Sequence, residues 1–275
     1  MRPEEYPPQD PFTKIGEAYH ARIMAAADAV PTLEWQHGDD PYQSVALYPA
    51  PAPRGDVILL IHGGGWTNGY KEWMAFMAPA LTARGITVAS LGYRLAPAHV
   101  WPACFEDVAD GVAAVAARVA EHGGDPGRLF VCGHSAGGHL ASLLALRTDW
   151  QGPRGLGSDC IRGALPISGT FWFGEDSGLS MRPRFLGAPE MQNETPASPR
   201  SWIRPDAPPF MVSWGADDFV HLRAQAQSFS SDLIAAGTQV ETLEIPNADH
   251  LGASYASGET DGVWIKAADD FIRKN

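Results

Sequence analysis

An α/β architecture is predicted for this chain: a mostly parallel central sheet with helices on both faces and a small lid-like insertion. Three observations predict it. Short apolar runs of strand length recur, helical patterns separate them, and glycines stand where several of those helices should stop. Residues 11 to 29 read as an N-terminal helix that ends before Pro31. A short strand over Gln43 to Tyr48 follows the turn-like stretch His37 to Pro41. Val57 to Ile61, Thr87 to Leu91, Leu129 to Cys132, Ala164 to Ile167, Phe210 to Trp214 and Val240 to Ile245 are then apolar runs. Parallel strands need such runs, because helices cover both of their faces. Helical patterns occupy Lys71 to Ala83, Cys104 to Glu121, Gly138 to Leu146, Leu222 to Ala236 and Gly262 to Arg273. Gly85, Gly123 and Gly237 fall where a left-handed cap residue is expected. No repeat or flexible linker interrupts the 275 residues, so a single domain over 1–275 is expected, with residues 170–208 as the insertion.

In such sheets ligands bind beyond the carboxyl ends of the strands. Chemistry is therefore expected just after Ile61, Cys132, Trp214 and Ile245.

Composition narrows the partners. Hydrophobic residues make up 45% and charged residues 19%, which suits a large core rather than a disordered chain. The net charge is −12, from 20 basic and 32 acidic residues, with no Lys/Arg cluster. Nucleic acid and anionic membrane surfaces are poor partners for that charge, and a neutral or cationic small molecule suits it better. A second copy of the chain is left open as a partner. No apolar run approaches the roughly 20 residues that a membrane span needs. The first residues, MRPEEYPPQDPF, have neither the basic region nor the apolar stretch of a secretory signal. Cys104, Cys132 and Cys160 are scattered and fit no zinc spacing. They read as reduced thiols, and the compartment expected is the cytoplasm.

Gly133-His134-Ser135-Ala136-Gly137 follows the third apolar run and precedes an apolar helix. It matches G-x-S-x-G, the sharp strand-to-helix turn of the α/β-hydrolase fold that lifts a serine hydroxyl above the sheet edge. Side chains at the flanking glycines would clash, and the serine itself takes a strained conformation. The bland alternative, an ordinary Gly-rich turn, does not explain the strand before and the helix after. Ser135 is the expected nucleophile.

His62-Gly63-Gly64-Gly65-Trp66 follows Ile61. Its exposed backbone N–H groups, at Gly63 and Gly64, can join that of Ala136 in binding the oxyanion of a tetrahedral intermediate, where one donor is worth about 3 kcal/mol. A phosphate loop is the rival, but no G-K-[ST] or G-x-G-x-x-G pattern is present. His62 is expected to prop this loop.

Gly215-Ala216-Asp217-Asp218 follows Trp214, and a carboxylate there would be the third member of a triad. Both aspartates are candidates on position alone, one of them a loop cap. Pro246-Asn247-Ala248-Asp249-His250 follows Ile245 and supplies the expected general base, His250. Imidazole titrates near neutrality, so it can take a serine proton and return it to a leaving group. The order serine, acid, histidine is the one known for this fold. His139 is expected under the serine turn in a structural role, and His134 pointing away from substrate. His20, His37, His99 and His122 are expected to be surface or packing residues, and His221 is a reserve base.

The three stretches His62–Trp66, Gly92-Tyr93-Arg94-Leu95-Ala96-Pro97 and Gly133–Leu140 together resemble the HGGG-type esterases. These include the hormone-sensitive-lipase-like group and its bacterial carboxylesterase relatives. The likeness covers about residues 35 to 273. The elbow and the Gly215–Asp218 spacing also resemble kynurenine formamidases (arylformamidases), which is why Asp218 leads Asp217. The resemblance differs at Gly65, where the animal formamidases have an aromatic residue, and at His134, where the lipase-like group usually has an aspartate.

Residues and resemblance imply one chemistry. Ser135, Asp218 and His250 cleave small carboxylic esters through an acyl-enzyme, with no metal or organic cofactor. The alternatives are formamide hydrolysis by the same residues, and a catalytically silent binding module on the same fold. Trp66, Trp172, Phe173, Trp202 and Leu251 are expected to line the pocket. Met181, Phe185 and Tyr255 lie near enough to contribute, although packing of the insertion onto the domain explains most of these aromatics.

Overall fold

The computed structural model describes residues 3–27, 33–174, 177–178 and 184–275. Eight strands form one sheet in the order β1-β2-β4-β3-β5-β6-β7-β8. They are β1 (Leu33–Gln36), β2 (Ser44–Tyr48), β3 (Gly55–Ile61), β4 (Thr87–Leu91), β5 (Gly124–His134), β6 (Ile161–Ile167), β7 (Phe210–Gly215) and β8 (Val240–Ile245). β1 and β2 run antiparallel to their neighbours at one edge, and the other pairings are parallel. The helices are α1 (Lys14–Ala27), α2 (Ala78–Thr82), α3 (Ala103–Ala116), α4 (Ala136–Leu146), α5 (Glu194–Ala197), α6 (Val220–Ala235), α7 (His250–Ala256) and α8 (Val263–Lys274).

The period-two alternation of strands explains the two cores. Val57, Leu59 and Ile61 pack into one apolar layer, while Ile58 and Leu60 pack into the other. Every residue of α4 is buried, as a helix that leaves the central strand and runs beneath the other elements must be. On the opposite face, Trp264 of α8 is fully buried and its indole N–H donates to Ser213 Oγ of β7 at 3.1 Å.

Some local readings change. Residues 71 to 83 form no continuous helix: Lys71–Met77 is a 3-10 segment, and only Ala78–Thr82 is α-helical. Pro79 lacks an N–H and sits at the start of α2, where none is needed. β1 and α7 carry too few residues to show a periodic pattern. The expected helix at 11 to 29 is observed over Lys14–Ala27, and its last residues, with Pro31, lie outside the described residues. Met181 also lies outside them.

Register aims the strand ends at one another. Ile61 pairs with Gly133, His134 with Ile167, Ile167 with Ser213, and Gly215 with Ile245. The loops after β3, β5, β7 and β8 therefore emerge along one rim.

Candidate active site

Ser135 stands between β5 and α4 with φ 56° and ψ −116°. A β-carbon on Gly137 would lie 1.9 Å from the Ile61 carbonyl oxygen, and one on Gly133 would lie 2.4 Å from the Gly137 carbonyl carbon. Only glycine lets strand and helix approach that closely. The Ser135 N–H donates to the Ile167 carbonyl at 2.9 Å, which fixes the turn to β6.

The acid and histidine loops are held together before either meets the serine. The N–H of Ala216 donates to Ile245, and that of Asp217 to Ala248, each at 2.9 Å. A β-carbon on Gly215 would meet the Ala248 carbonyl oxygen at 2.2 Å, so the closeness of these loops depends on that glycine. Asp249 caps α7 by accepting the Gly252 N–H at 2.7 Å, which places His250 in the first turn of that helix.

His250 Nδ1 lies 2.9 Å from Asp218 Oδ1, and its Nε2 lies 3.0 Å from Ser135 Oγ. With Nδ1 protonated and donating to the carboxylate, Nε2 can accept the serine proton. Asp218 is buried, and Oδ1 also accepts the Phe219 N–H at 2.7 Å. Burial pushes the Asp218 carboxyl up. The hydrogen bond and charge of His250, helped by Ser168 and the Phe219 amide, outweigh it and hold the group below the usual carboxylate range. Asp217 is exposed and points into the cavity mouth.

Three other histidines surround this line, all buried and neutral. His134 Nε2 donates to the His250 carbonyl at 2.8 Å, and burial lowers its pKa to about 3. The residue was expected to face away from substrate, yet it borders the cavity, because the loop it bonds forms the cavity edge. His139 accepts the Trp66 indole N–H at 3.1 Å through Nδ1 and donates to the Ala197 carbonyl at 2.6 Å, and burial lowers its pKa to about 3. His62 Nδ1 donates to the Gly63 carbonyl at 2.8 Å, its ring stacks on Tyr93 at 4.2 Å, and burial lowers its pKa to about 4. His221 stacks on exposed Phe219 rather than approaching the serine.

The glycine turn runs alongside. A β-carbon on Gly63 would lie 3.3 Å from Ser135 Cβ, so this backbone is in contact with the nucleophile turn. The Gly64 carbonyl accepts the N–H groups of Thr67 and Asn68 at 3.2 and 3.0 Å. Among the described residues, the N–H groups of Gly63, Gly64 and Ala136 donate to no protein acceptor.

A cavity of about 560 Å³ opens over Ser135 and His250. Its wall differs from the one expected. Phe12, Ile15 and Tyr19 from the N-terminal segment and α1 line it, with Trp73, Phe219 and Leu251. Leu251 is the one expected pocket residue that does so. Trp66, with φ 62°, is buried beneath, stacked on Phe185 at 4.2 Å and donating its indole N–H to His139. Phe173 is also buried. Half-buried Trp202 donates to the Pro196 carbonyl at 3.0 Å within the insertion. Trp172 is half-buried and contributes no wall to the cavity. Residues 184–208 thus pack onto the domain through their aromatics instead of roofing the serine. The helical spacing of Phe12, Ile15 and Tyr19 was the available signal for the true wall. Tyr19 fixes that wall to the histidine helix by a 2.9 Å hydrogen bond with Ser254 Oγ.

Among the described residues no cluster of His, Cys, Asp or Glu could hold a metal ion, and no helix is long and apolar enough to cross a membrane.

The family described as BD-FAE matches residues 47–160. Esterase LipC of Mycobacterium tuberculosis is 33% identical over 261 residues, covering 86% of this chain and 64% of its own length. Esterase LipQ of the same organism is 31% identical, covering 81% of this chain and 56% of its own length. The chain thus spans between 56% and 64% of the length of these two relatives. An esterase structure from Pyrobaculum calidifontis superposes with a TM-score of 0.76 at 20% identity, covering 94% of this chain and 92% of that one. The carboxylesterase EstE1, cloned from a metagenomic library, superposes at 0.74 with 21% identity and 95% coverage of each chain. The eight-stranded sheet, its crossings and these superpositions agree: the chain has the α/β-hydrolase fold, and its sequence is similar to that of bacterial esterases.

Proposed function

We propose that this chain is a serine carboxylesterase that cleaves small, neutral esters through an acyl-enzyme on Ser135. The observation that carries the reading is the unbroken line Asp218–His250–Ser135, with contacts of 2.9 and 3.0 Å, at the floor of the cavity. Ser135 Oγ attacks the ester carbonyl carbon as His250 Nε2 takes its proton. The carbonyl oxygen becomes an oxyanion and is received by the N–H groups of Gly63, Gly64 and Ala136. The C–O bond to the alcohol breaks, and the imidazolium protonates the departing alkoxide. Water then attacks the acyl carbon with His250 again as base, releasing the acid and restoring the serine. Asp218 keeps its charge throughout and stabilises the imidazolium. The names of the relatives support ester substrates, and the cavity wall, mostly apolar with two aspartates and no Lys or Arg, supports uncharged ones. Residues 1–275 act as one unit in this reading. Cys104, Cys132 and Cys160 are free thiols, which supports the reducing cytoplasm as its compartment.

The test is a substrate panel on the purified protein: short and long acyl p-nitrophenyl esters, acetylated and feruloylated sugars, and N-formylkynurenine. Ester turnover that vanishes in Ser135→Ala, with a fluorophosphonate labelling Ser135 alone, supports the reading. Preferred turnover of N-formylkynurenine replaces it with a formamidase. Absence of both turnover and label leaves a binding module.

A further inference from the structure

We propose that the carboxamide of Gln9 is a positioning residue for the glycine turn that receives the oxyanion, an assignment that rests on the hydrolase reading above. Gln9 lies in the segment preceding α1, far from the turn in sequence. Its Oε1 accepts the Gly69 N–H at 2.9 Å and its Nε2 donates to the Gly69 carbonyl at 2.8 Å. One side chain thus satisfies both backbone groups of one residue, as a neighbouring strand would. The second Nε2 hydrogen is taken by Tyr42 Oη at 2.7 Å, and Tyr42 in turn donates to the Pro7 carbonyl at 3.1 Å. The amide is therefore held in one orientation, and its assignment of oxygen and nitrogen follows from its partners.

What the clamp holds is the far end of the oxyanion turn. Gly69 has φ 118°, and its Cα rests on His62 and Gly63: a β-carbon there would meet His62 Nδ1 at 2.3 Å and the Gly63 carbonyl oxygen at 2.8 Å. One residue earlier, the Asn68 carbonyl presses on Gly64, where a β-carbon would lie 2.0 Å from its oxygen. The Asn68 side chain meanwhile donates to the Asp10 carbonyl at 2.6 Å. Displacement of residues 68–69 would thus be transmitted directly to the backbone of Gly63 and Gly64. Three consecutive glycines have little stiffness of their own. An oxyanion hole works only when its donors are fixed before charge develops. Gln9, and Asp10 through its bond with Asn68, supply that fixity from a segment with no chemical role of its own. The same segment is anchored independently at Tyr6, whose hydroxyl donates to Glu72 and accepts from buried Lys71 at 2.6 Å.

The experiment compares Gln9→Ala and the near-isosteric Gln9→Met with wild type on p-nitrophenyl acetate. Affinity for a trifluoromethyl ketone, whose adduct carries an oxyanion, and amide exchange at Gly69 are followed in parallel. Both variants should lose about ten- to a hundredfold in kcat, with KM changed less than about threefold. Ketone affinity should fall with kcat, Gly69 should exchange faster, and the melting temperature should hold within a few degrees. Undiminished kcat in both variants, or a rise in KM alone, overturns the assignment, because the segment then only walls the cavity. A wild-type chain that neither hydrolyses esters nor takes a fluorophosphonate removes the hydrolase reading instead. In that case unchanged Gly69 exchange removes the clamp as well, and faster exchange upholds it.

Discussion

His134 Nε2 donates to the carbonyl oxygen of His250 across 2.8 Å, so the residue before the nucleophile grips the backbone of the residue that would deprotonate it. His134 is neutral, since burial lowers its pKa to about 3, and a neutral ring that donates through Nε2 leaves Nδ1 unprotonated. The bond joins two loops that are 116 residues apart in the chain. Replacing His134 with alanine removes one of the donors to a partly buried carbonyl in the first turn of α7, at a cost of about 0.5–1.5 kcal/mol. His134→Ala should therefore melt earlier and lose about tenfold in kcat, and His134→Gln, which can still donate, should recover part of both. Steady-state kinetics and thermal melts check this.

Asp218 and Asp217 are adjacent but not equivalent. Asp218 accepts from the imidazole, while Asp217 is exposed at the cavity mouth. Asp218→Asn should reverse the hydrogen-bond preference at Nδ1 and lower kcat by about 10⁴-fold, as loss of the orienting acid does elsewhere. Asp217→Asn should stay within about threefold of wild type with neutral esters. The opposite ranking in measured kcat would reassign the acid.

Acid should destabilise the fold well before carboxylates titrate. His62, His134 and His139 are buried with pKa values lowered from 6.5 to about 4, 3 and 3. In the unfolded chain each takes up a proton as pH falls through 6.5, while the folded chain does not. The unfolded state then binds more protons, so stability declines as pH drops from about 6.5 toward 4. Three such groups give a slope of at most about 4 kcal/mol per pH unit. Guanidinium unfolding at pH 7, 6 and 5 measures it, and a flat profile would contradict the burial of these rings.

The wall built by α1 should set how well longer acyl or alcohol groups bind. Ile15 is 70% exposed, so truncating it leaves the core intact, and half-buried Phe12 sits at the edge of the core against His20 and Trp73. Ile15→Ala and Phe12→Ala should raise KM for butyrate and hexanoate esters several-fold and change acetate least. Equal effects on all chain lengths would mean that the wall does not touch the substrate.

Gly64→Ala should be among the most damaging single-methyl changes near the site. Its φ is 106°, and the added carbon would sit 2.0 Å from the Asn68 oxygen. Turnover should fall by at least about a hundredfold while far-ultraviolet circular dichroism stays unchanged, since the turn lies outside the sheet.

The residues around the serine were readable because each follows an apolar run whose strand nature is plain. Once β5, β6, β7 and β8 lie side by side as parallel strands, the loops after Cys132, Trp214 and Ile245 emerge along one rim. Local patterning carried that information. Choosing Asp218 over Asp217 needed family spacing, because adjacent acids look alike until register turns one inward. The cavity wall was not readable from loop composition. Trp66 looked like a pocket residue from its place after the glycines, but its ring packs in the core against Phe185 and bonds His139, contacts far away in the sequence. The wall depends on where α1 docks, and that is decided by contacts such as Tyr19 with Ser254, which are 235 residues apart. The role of Gln9 is equally non-local, since a lone glutamine in a Pro-rich stretch has no motif.

The separation of Ser135 from His250 by 115 residues has a consequence for biosynthesis. During translation the serine turn can leave the ribosome and fold against β3 and β6 while the imidazole is still unmade. A nascent chain at that stage carries an ordinary alcohol, too weakly nucleophilic to acylate anything it meets. Under the proposed mechanism, reactivity arrives only when β8 and the loop after it dock, so the half-made polypeptide is protected from its own chemistry by the order in which its parts are spelled out.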